Sequence, residues 1–419
     1  LAGDAMTDAA RNTAVGYASL STATSSDNTA IGWGALIIAT TGNANTAVGR
    51  SALGSNTTGG SNTAVGYLAA DAVSTGDNNV AVGASAMGAN TVGDRNVAIG
   101  NNALAVYNPA SNEDSYNVAI GHDAGAAVTT GIENTLIGGQ AGDALDVGAT
   151  NVAVGKGAIG SDTKGSRAVA VGTGALSSQN FTSATDNYNV AVGYVAGSAI
   201  NTGAHNTLLG GLAGDSITTG NRNTVVGHNV ATSLQDGSDN VAIGDSVNVA
   251  ASLGHSITIG SGISATGSND FSFGKASNVV TNDFDADANW SRSSDERLKK
   301  NISDQTLGLS FINDLRTVKY NWKANHELDS SDSQLAHLYK SDPADNEMNT
   351  AVTMHNFIAQ EVKAALDTAG VSDFGGWKED QYGVQQVSRE MFVIPLVKAV
   401  QELSAKVDAL TARIEALES

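Results

Sequence analysis

From residue 12 to about 274 the chain repeats a five-residue core: a polar Asn, three residues of alternating bulk, and a glycine. Asn-Thr-Ala-Val-Gly stands at 12–16, 45–49 and 62–66, and close variants stand at 28–32, 79–83, 96–100, 117–121 and onward to 240–244. The closing glycines number sixteen, from Gly16 to Gly274, and most lie 17 residues apart. Within each core, Thr or Val and then Val, Ile or Leu stand two apart on one face of a short strand, with small Ala on the other. So short a strand cannot bury its face alone, and neighbouring copies must stack. A second short run follows, such as Tyr17–Leu20 or Ala84–Met87, and then a turn rich in Gly, Asn, Asp and Thr. Two short strands and two turns predict a β-solenoid or β-roll rung rather than a propeller blade of about 40–45 residues. At about 4.8 Å per rung, sixteen rungs predict a rod roughly 75 Å long.

The asparagines that open the cores are placed to form a ladder, each bonding to backbone of the neighbouring rung. The Gly-Gly-x-Gly-x-Asp series of calcium-binding solenoids is absent, so no metal is expected here. Two spacings are 21 instead of 17. The extra residues fall in Asn101–Asn117, with Tyr107, Pro109, Glu113, Asp114 and Tyr116, and in Thr173–Asn189, with Phe181, Asp186, Asn187 and Tyr188. The two insertions end 72 residues apart, and Asn134–Asp143 matches Asn206–Asp215 at the same offset, so four rungs form a super-repeat. Each insertion is expected to project as a loop on one face, which is where solenoids bind partners. Tyr107, Glu113, Tyr116, Phe181, Asp186 and Tyr188 are therefore candidate receptor-contact residues, against the alternatives of a tolerated bulge or an inter-chain brace.

After Gly274 the repeat stops. Asn278–Asn289, with Asp283, Asp285 and Asp287, reads as a neck, and three of the four tryptophans lie at or beyond it. Beyond the neck the pattern is that of an ordinary mixed domain. Ser293–Lys300 looks like a capped helix start, Ser310–Leu315 a short helix and Val318–Trp322 a strand. Residues 326–350 read as loop, Phe357–Thr368 as a helix closed by Gly370, and Tyr382–Val384 as a short strand. The last helix is the clearest element. Val400, Val407 and Ile414 alternate with Leu403, Leu410 and Leu417 in a heptad seam that begins near Leu396. That seam requires a partner helix, and its residues alone favour a parallel dimer.

Composition sharpens this division. The chain has 48 glycines in 419 residues, where an ordinary domain carries about 7%. The three prolines and the lack of a Gly-x-y triplet exclude collagen, and 41% hydrophobic residues exclude a disordered polymer. A net charge of −20 disfavours nucleic acid and anionic membrane as partners. No apolar run is long enough for a membrane helix, and without cysteine neither disulfides nor thiolate metal sites exist. The chain opens at Leu1 with no leader-like segment, and the missing initiator Met points to residues upstream.

The tail resembles the intramolecular chaperone domain of bacteriophage tail fibres and tailspikes, the endosialidase-type, peptidase S74-like auto-processing module. The resemblance rests on Ser294-Asp-Glu-Arg-Leu-Lys-Lys-Asn-Ile302, on Leu315–Lys323, on His355-Asn-Phe-Ile-Ala-Gln-Glu-Val362 and on Pro395–Leu403. The shaft is similar to the head repeats of trimeric adhesins and to phage-fibre shafts. The resemblance implies three chains, a folding role for the tail, and a cut between Ser293 and Ser294. It makes Ser294 the nucleophile and Lys299 its base, with Asp295 and His355 as supports. A hydroxyl needs a neighbouring base to attack its own peptide carbonyl, and a lysine desolvated at a subunit interface can serve.

The expected fold is thus an all-β solenoid or β-roll shaft of about sixteen 17-residue rungs, trimeric, followed by a small α+β chaperone domain ending in a coiled coil. The expected segments are 1–274 (shaft), 275–293 (neck and cleavage boundary), 294–392 (chaperone domain) and 393–419 (coiled-coil helix). The expected function is a receptor-binding phage tail fibre, assembled in the host cytoplasm and carried on the virion. Its partners would be upstream tail or baseplate proteins and a host surface glycan or protein, with no cofactor and no external substrate. A bacterial trimeric surface adhesin fragment is the alternative, but it predicts a C-terminal β-barrel that this sequence lacks. A glycan-degrading tailspike is the third reading, and no paired carboxylates stand out for it.

Overall fold

Each repeat core forms one strand, usually of three residues, and sixteen such strands run from Thr13–Val15 to Asp270–Lys275. Consecutive strands pair parallel and in register, Thr13 on Thr29, Thr29 on Thr46 and so on through Ile257 on Phe271. The chain is a β-solenoid of about fifteen turns. The computed structural model describes residues 1–4, 9–276, 278–283, 287–292, 295–346, 348, 350–351 and 353–418. These residues fall into two compact units, Leu1–Ser294 and Asp295–Ser419.

The small face of the strand is the inside. Ala30, Ala47, Ala64, Ala81 and Ala98 at strand centres are fully buried, whereas the β-branched residues on either side of them stand half-buried or exposed on the outer surface. The lumen is filled from the other side of the turn by Leu20, Leu36, Leu53, Met87 and Leu104. Volumes compensate at close packing density. Where the strand centre is Leu136, the Leu-type positions around it are Gly125 and Gly142, and a Cβ on either would lie 2.7 or 2.8 Å from the Leu136 methyls. Leu208 is matched by Gly197 and Gly214 in the same way.

The expected second strand of each rung does not form. Runs such as Tyr17–Leu20 are tight turns in which alternate residues take left-handed backbone, for example Ala18 (φ 57°) and Leu20 (φ 48°), a conformation no strand allows. The glycine ending each strand has no substitute. At Gly121 (φ 139°) a Cβ would sit 2.4 Å from the carbonyl oxygen of Gly138 in the next rung.

The asparagine ladder is present and buried. Asn134 is typical: its side-chain oxygen accepts from Asn151 N at 3.0 Å and its amide donates to Gly148 O at 2.9 Å. The ladder has a gap at Ala168, where no amide exists to serve the next rung. Asn187, from the second insertion, fills it by accepting from Asn189 N at 2.9 Å. In the neck, Asn278–Asp283 turns back antiparallel on Asp270–Lys275, and Asp287–Arg292 pairs antiparallel with it, so the neck is built of strands without a rung core.

In the second unit the strand Thr317–Tyr320 pairs antiparallel with Met354–Phe357, and Trp377–Glu379 with Gln385–Val387. Three helices accompany them: α1 (Leu309–Asn313), α2 (Ala359–Thr368) and α3 (Val393–Glu418). Leu307, Phe311, Val362, Leu366 and Phe392 form its small core, with Phe311 and Phe392 stacked at 6.2 Å. The start at Ser293–Lys300 shrinks to a single 3₁₀ turn, Glu296–Leu298, capped by Asp295 rather than by serine.

We expect Asn187→Ala and Asn134→Ala each to lose about 1–3 kcal/mol of stability, because each strands a buried backbone N–H. Denaturant unfolding of the two variants checks this. A negligible effect of Asn187→Ala would show that the gap at Ala168 needs no repair.

Candidate functional sites

The first candidate site is the segment that follows the solenoid. Ser293 and Ser294 lie outside the described residues. Asp295 accepts from Arg297 N at 2.9 Å and from the Arg297 guanidinium at 2.6 and 3.0 Å. The Arg297 hydrogen bonds hold the Asp295 carboxyl below the usual carboxylate range. Its oxygens are thus already committed within the turn. Lys299 ends the same turn, its backbone N–H donating to Glu296 O at 2.9 Å, and its side chain is exposed. Leu298 and Ile302 on the same segment are 74% and 64% exposed, an unusual price for two apolar side chains in a folded unit.

His355 sits on a different element. It lies on the strand Met354–Phe357 opposite Lys319, and its carbonyl accepts from Arg389 at 3.4 Å. These residues, with Thr317, Val318, Asn356 and Phe357, line a groove of about 440 Å³. Asp295 and Lys299 therefore share one turn, whereas His355 belongs to a cationic groove with Lys319 and Arg389.

The second candidate site comprises the two insertions. Tyr107 is fully buried in the solenoid core and Phe181 is 6% exposed. Side chains buried in this way offer no receptor contact, unlike the expectation for these two residues. Burial pushes the Tyr107 phenol up to about 12, opposed next by Ser115 and reinforced to a lesser degree by the carboxylates of Glu113 and Asp94. Beneath the second insertion the buried Asp162 carboxylate of the preceding rung accepts from Gln179 at 2.6 Å and from the backbone N–H of Phe181 and Gly165, each at 3.0 Å. Gln179 in turn accepts from the ladder residue Asn189 at 2.8 Å. Sequence reading did not single out Asp162 or Gln179, since nothing in their spacing marks them as internal.

Asp114, Tyr116, Asp186 and Tyr188 engage cations of the neighbouring rung. Arg95 pairs with Asp114 and covers the Tyr116 ring at 5.8 Å. Arg167 pairs with Asp186, donates to the Tyr188 hydroxyl at 2.8 Å and covers that ring at 5.6 Å. His205 stacks on the other face of Tyr188 at 5.6 Å. Glu113 is half-buried, and its carbonyl accepts from Asp94 N at 3.0 Å. The same surface column carries Arg222 and Asp239, joined by two bonds of 2.6 and 2.8 Å on rungs without any insertion. The arrangement is therefore a general clamp between rungs, and the exposed Tyr116, Asp186 and Tyr188 are already engaged within it. The 72-residue offset of Arg95 and Arg167 was the available signal for it.

Residues 294–371 match the Peptidase S74 family model, described as chaperone of endosialidase. No curated protein matches the chain. The chain thus joins a β-solenoid to a C-terminal chaperone-of-endosialidase domain.

Tyr107 makes a testable contribution to alkaline stability. Its folded pKa is raised, so the contribution is intact below the unfolded tyrosine value of about 10 and is lost as pH rises through about 12. Tyr107→Phe should flatten the fall in urea midpoint across that window. An unchanged pH dependence would place the phenol in water.

Proposed function

We propose that this chain is a homotrimeric fibre shaft whose C-terminal domain aligns and folds three copies and then releases itself between Ser293 and Ser294. The observation that carries the reading is the two-sided character of α3. Pro395 and Ala399 are buried in the chain's own core, and the Glu402 carboxylate accepts from Leu309 N at 2.9 Å. The seam on the other side is bare: Leu396, Val400, Leu403, Val407, Leu410 and Ile414 are 47–64% exposed. A helix held by its own domain on one side and offering a heptad seam on the other is built to gather copies. The family match supplies the folding role.

The cleavage chemistry uses the chain's own groups. Ser294 Oγ attacks the Ser293 carbonyl while Lys299 takes the hydroxyl proton, and the peptide nitrogen leaves as the new amine of Ser294. Water then hydrolyses the Ser293 ester, leaving a carboxylate and restoring the hydroxyl. In one copy Lys299 is exposed. A neighbouring copy that covers Leu298 and Ile302 would enclose Lys299 with them, so release follows assembly.

The wider setting we propose is a phage tail fibre on the virion, joined upstream to tail or baseplate proteins and presenting the shaft to a host surface glycan or protein. The negative shaft disfavours anionic polymers as that receptor.

Wild-type chain should yield two fragments on a denaturing gel, one ending at Ser293 and one beginning at Ser294, while Ser294→Ala and Lys299→Ala stay intact. Light scattering should give three copies for wild type and for Ser294→Ala alike. Intact wild type would remove self-release, and a single-copy mass would remove the fibre reading.

A further inference from the structure

One column on the outer face of the solenoid is apolar along its whole length. The second outer column runs Val15, Ile31, Val48, Val65 and onward to Ile259 and Phe273, without a polar residue in sixteen rungs. The parallel column of Thr, Val, Ile and Phe beside it is at least half-buried at most positions, from Thr29 to Phe271. At about 4.8 Å per rung and roughly 10 Å across, such a face offers on the order of 750 Å², near the roughly 800 Å² per partner of a standard interface.

This face has a built-in ambiguity. One rung resembles the next so closely that two copies slipped by a whole rung would meet almost the same aliphatic surface. The next column, formed by the residue after each glycine, does not repeat in this way. Its first four members are Tyr17, Trp33, Arg50 and Tyr67, followed by Ala84 and Asn101. Tyr17 and Trp33 stack at 6.3 Å with 12° between the rings, and the Arg50 guanidinium lies between Trp33 at 5.2 Å and Tyr67 at 5.5 Å. Tyr17, Trp33 and Tyr67 are nevertheless 67%, 50% and 48% exposed.

The stacking decides what this column can meet. A sugar ring recognised by an aromatic residue needs an open ring face. Trp33 has Tyr17 on one face and Arg50 on the other, so only ring edges remain. Ring edges level with Val15, Ile31 and Val65 widen the same apolar face on the first four rungs. The surface is flat and continuous with the aliphatic columns, and it fits another flat solenoid face.

We propose that Tyr17, Trp33, Arg50 and Tyr67 form the axial register key between copies of this chain, seated against the same rungs of a second copy. The proposal rests on the homotrimer reading above. In register, aromatic edges meet the widened face of the partner. A slip of several rungs sets them against the small and polar residues of that column, Ala84, Asn101 and His122, instead. The key lies at the opposite end of the chain from α3, so the two together fix alignment at both ends.

The test uses the full chain and acrylamide, taking the fluorescence difference between wild type and Trp33→Phe as the Trp33 signal. With several copies present by light scattering, that signal should be quenched at least about threefold less than free N-acetyltryptophanamide, as an interface core excludes solvent. Tyr17→Ala/Tyr67→Ala should keep the β circular-dichroism signal and the particle mass, yet raise Trp33 quenching at least about twofold. Free quenching of Trp33 in an assembled particle would overturn the key and leave the homotrimer standing. It would turn the column outward as a surface for another partner. A single-copy mass would overturn both.

Discussion

The structure depends on the spacing of stacked backbones, about 4.8 Å from rung to rung. At that spacing every buried N–H and C=O must find a partner in the rung above or below, and every side chain must avoid one. The asparagine ladder answers the first demand, because an amide is both donor and acceptor. Asn134 accepts from the next rung and donates to a turn carbonyl, which a backbone turn alone could not do. The glycine column answers the second, since a Cβ at Gly121 or Gly172 would lie 2.4 or 2.2 Å from the oxygen of the next glycine. Asn187 shows how strict the first demand is: where the ladder lapses at Ala168, a residue outside the repeat takes its place.

The same spacing puts alanine inside and valine outside. A lumen one turn wide holds a small strand residue facing a leucine, and Leu136 and Leu208 fit only because glycine replaces that leucine. The larger β-branched residues are left on the surface, where they contribute little to the single chain. An isolated copy therefore carries an apolar face that it cannot bury itself, and α3 carries a second. Both are consistent with a chain made to associate with its own kind.

Much of this was legible in the sequence, and the limits have physical causes. The rung, the ladder, the super-repeat and the heptad seam are periodic, and periodicity survives without coordinates. The second strand of each rung was misread because short apolar runs such as Ala84–Met87 look the same as a strand or as a left-handed turn. Tyr107 and Phe181 were misread as receptor contacts because an aromatic residue in a long spacing says nothing about direction. Both are buried, while Tyr116 and Tyr188 lie beside Arg95 and Arg167. Asp162 escaped notice because a buried carboxylate satisfied by backbone N–H groups leaves no pattern. At the motif after the solenoid, the assignment of Ser294 and Lys299 comes from a resemblance, and the geometry adds that Asp295 is occupied by Arg297 and that His355 stands with Lys319.

The need for a folding domain follows from where the difficult contacts lie. Within one chain each strand pairs with its sequence neighbour, mostly 17 residues away, so the solenoid can grow rung by rung through short loops at small entropic cost. Low contact order of this kind does not need a chaperone. Matching sixteen near-identical rungs of one copy to those of another is a different problem, because many slipped alignments bury almost the same area. A slip would be hard to correct, since the whole stripe must separate before it can realign. In the homotrimer proposed above, a short helical seam would avoid this by meeting its partners first. In that assembly the C-terminal domain would set the register between copies as they fold, and its work would be complete once the stripes had closed.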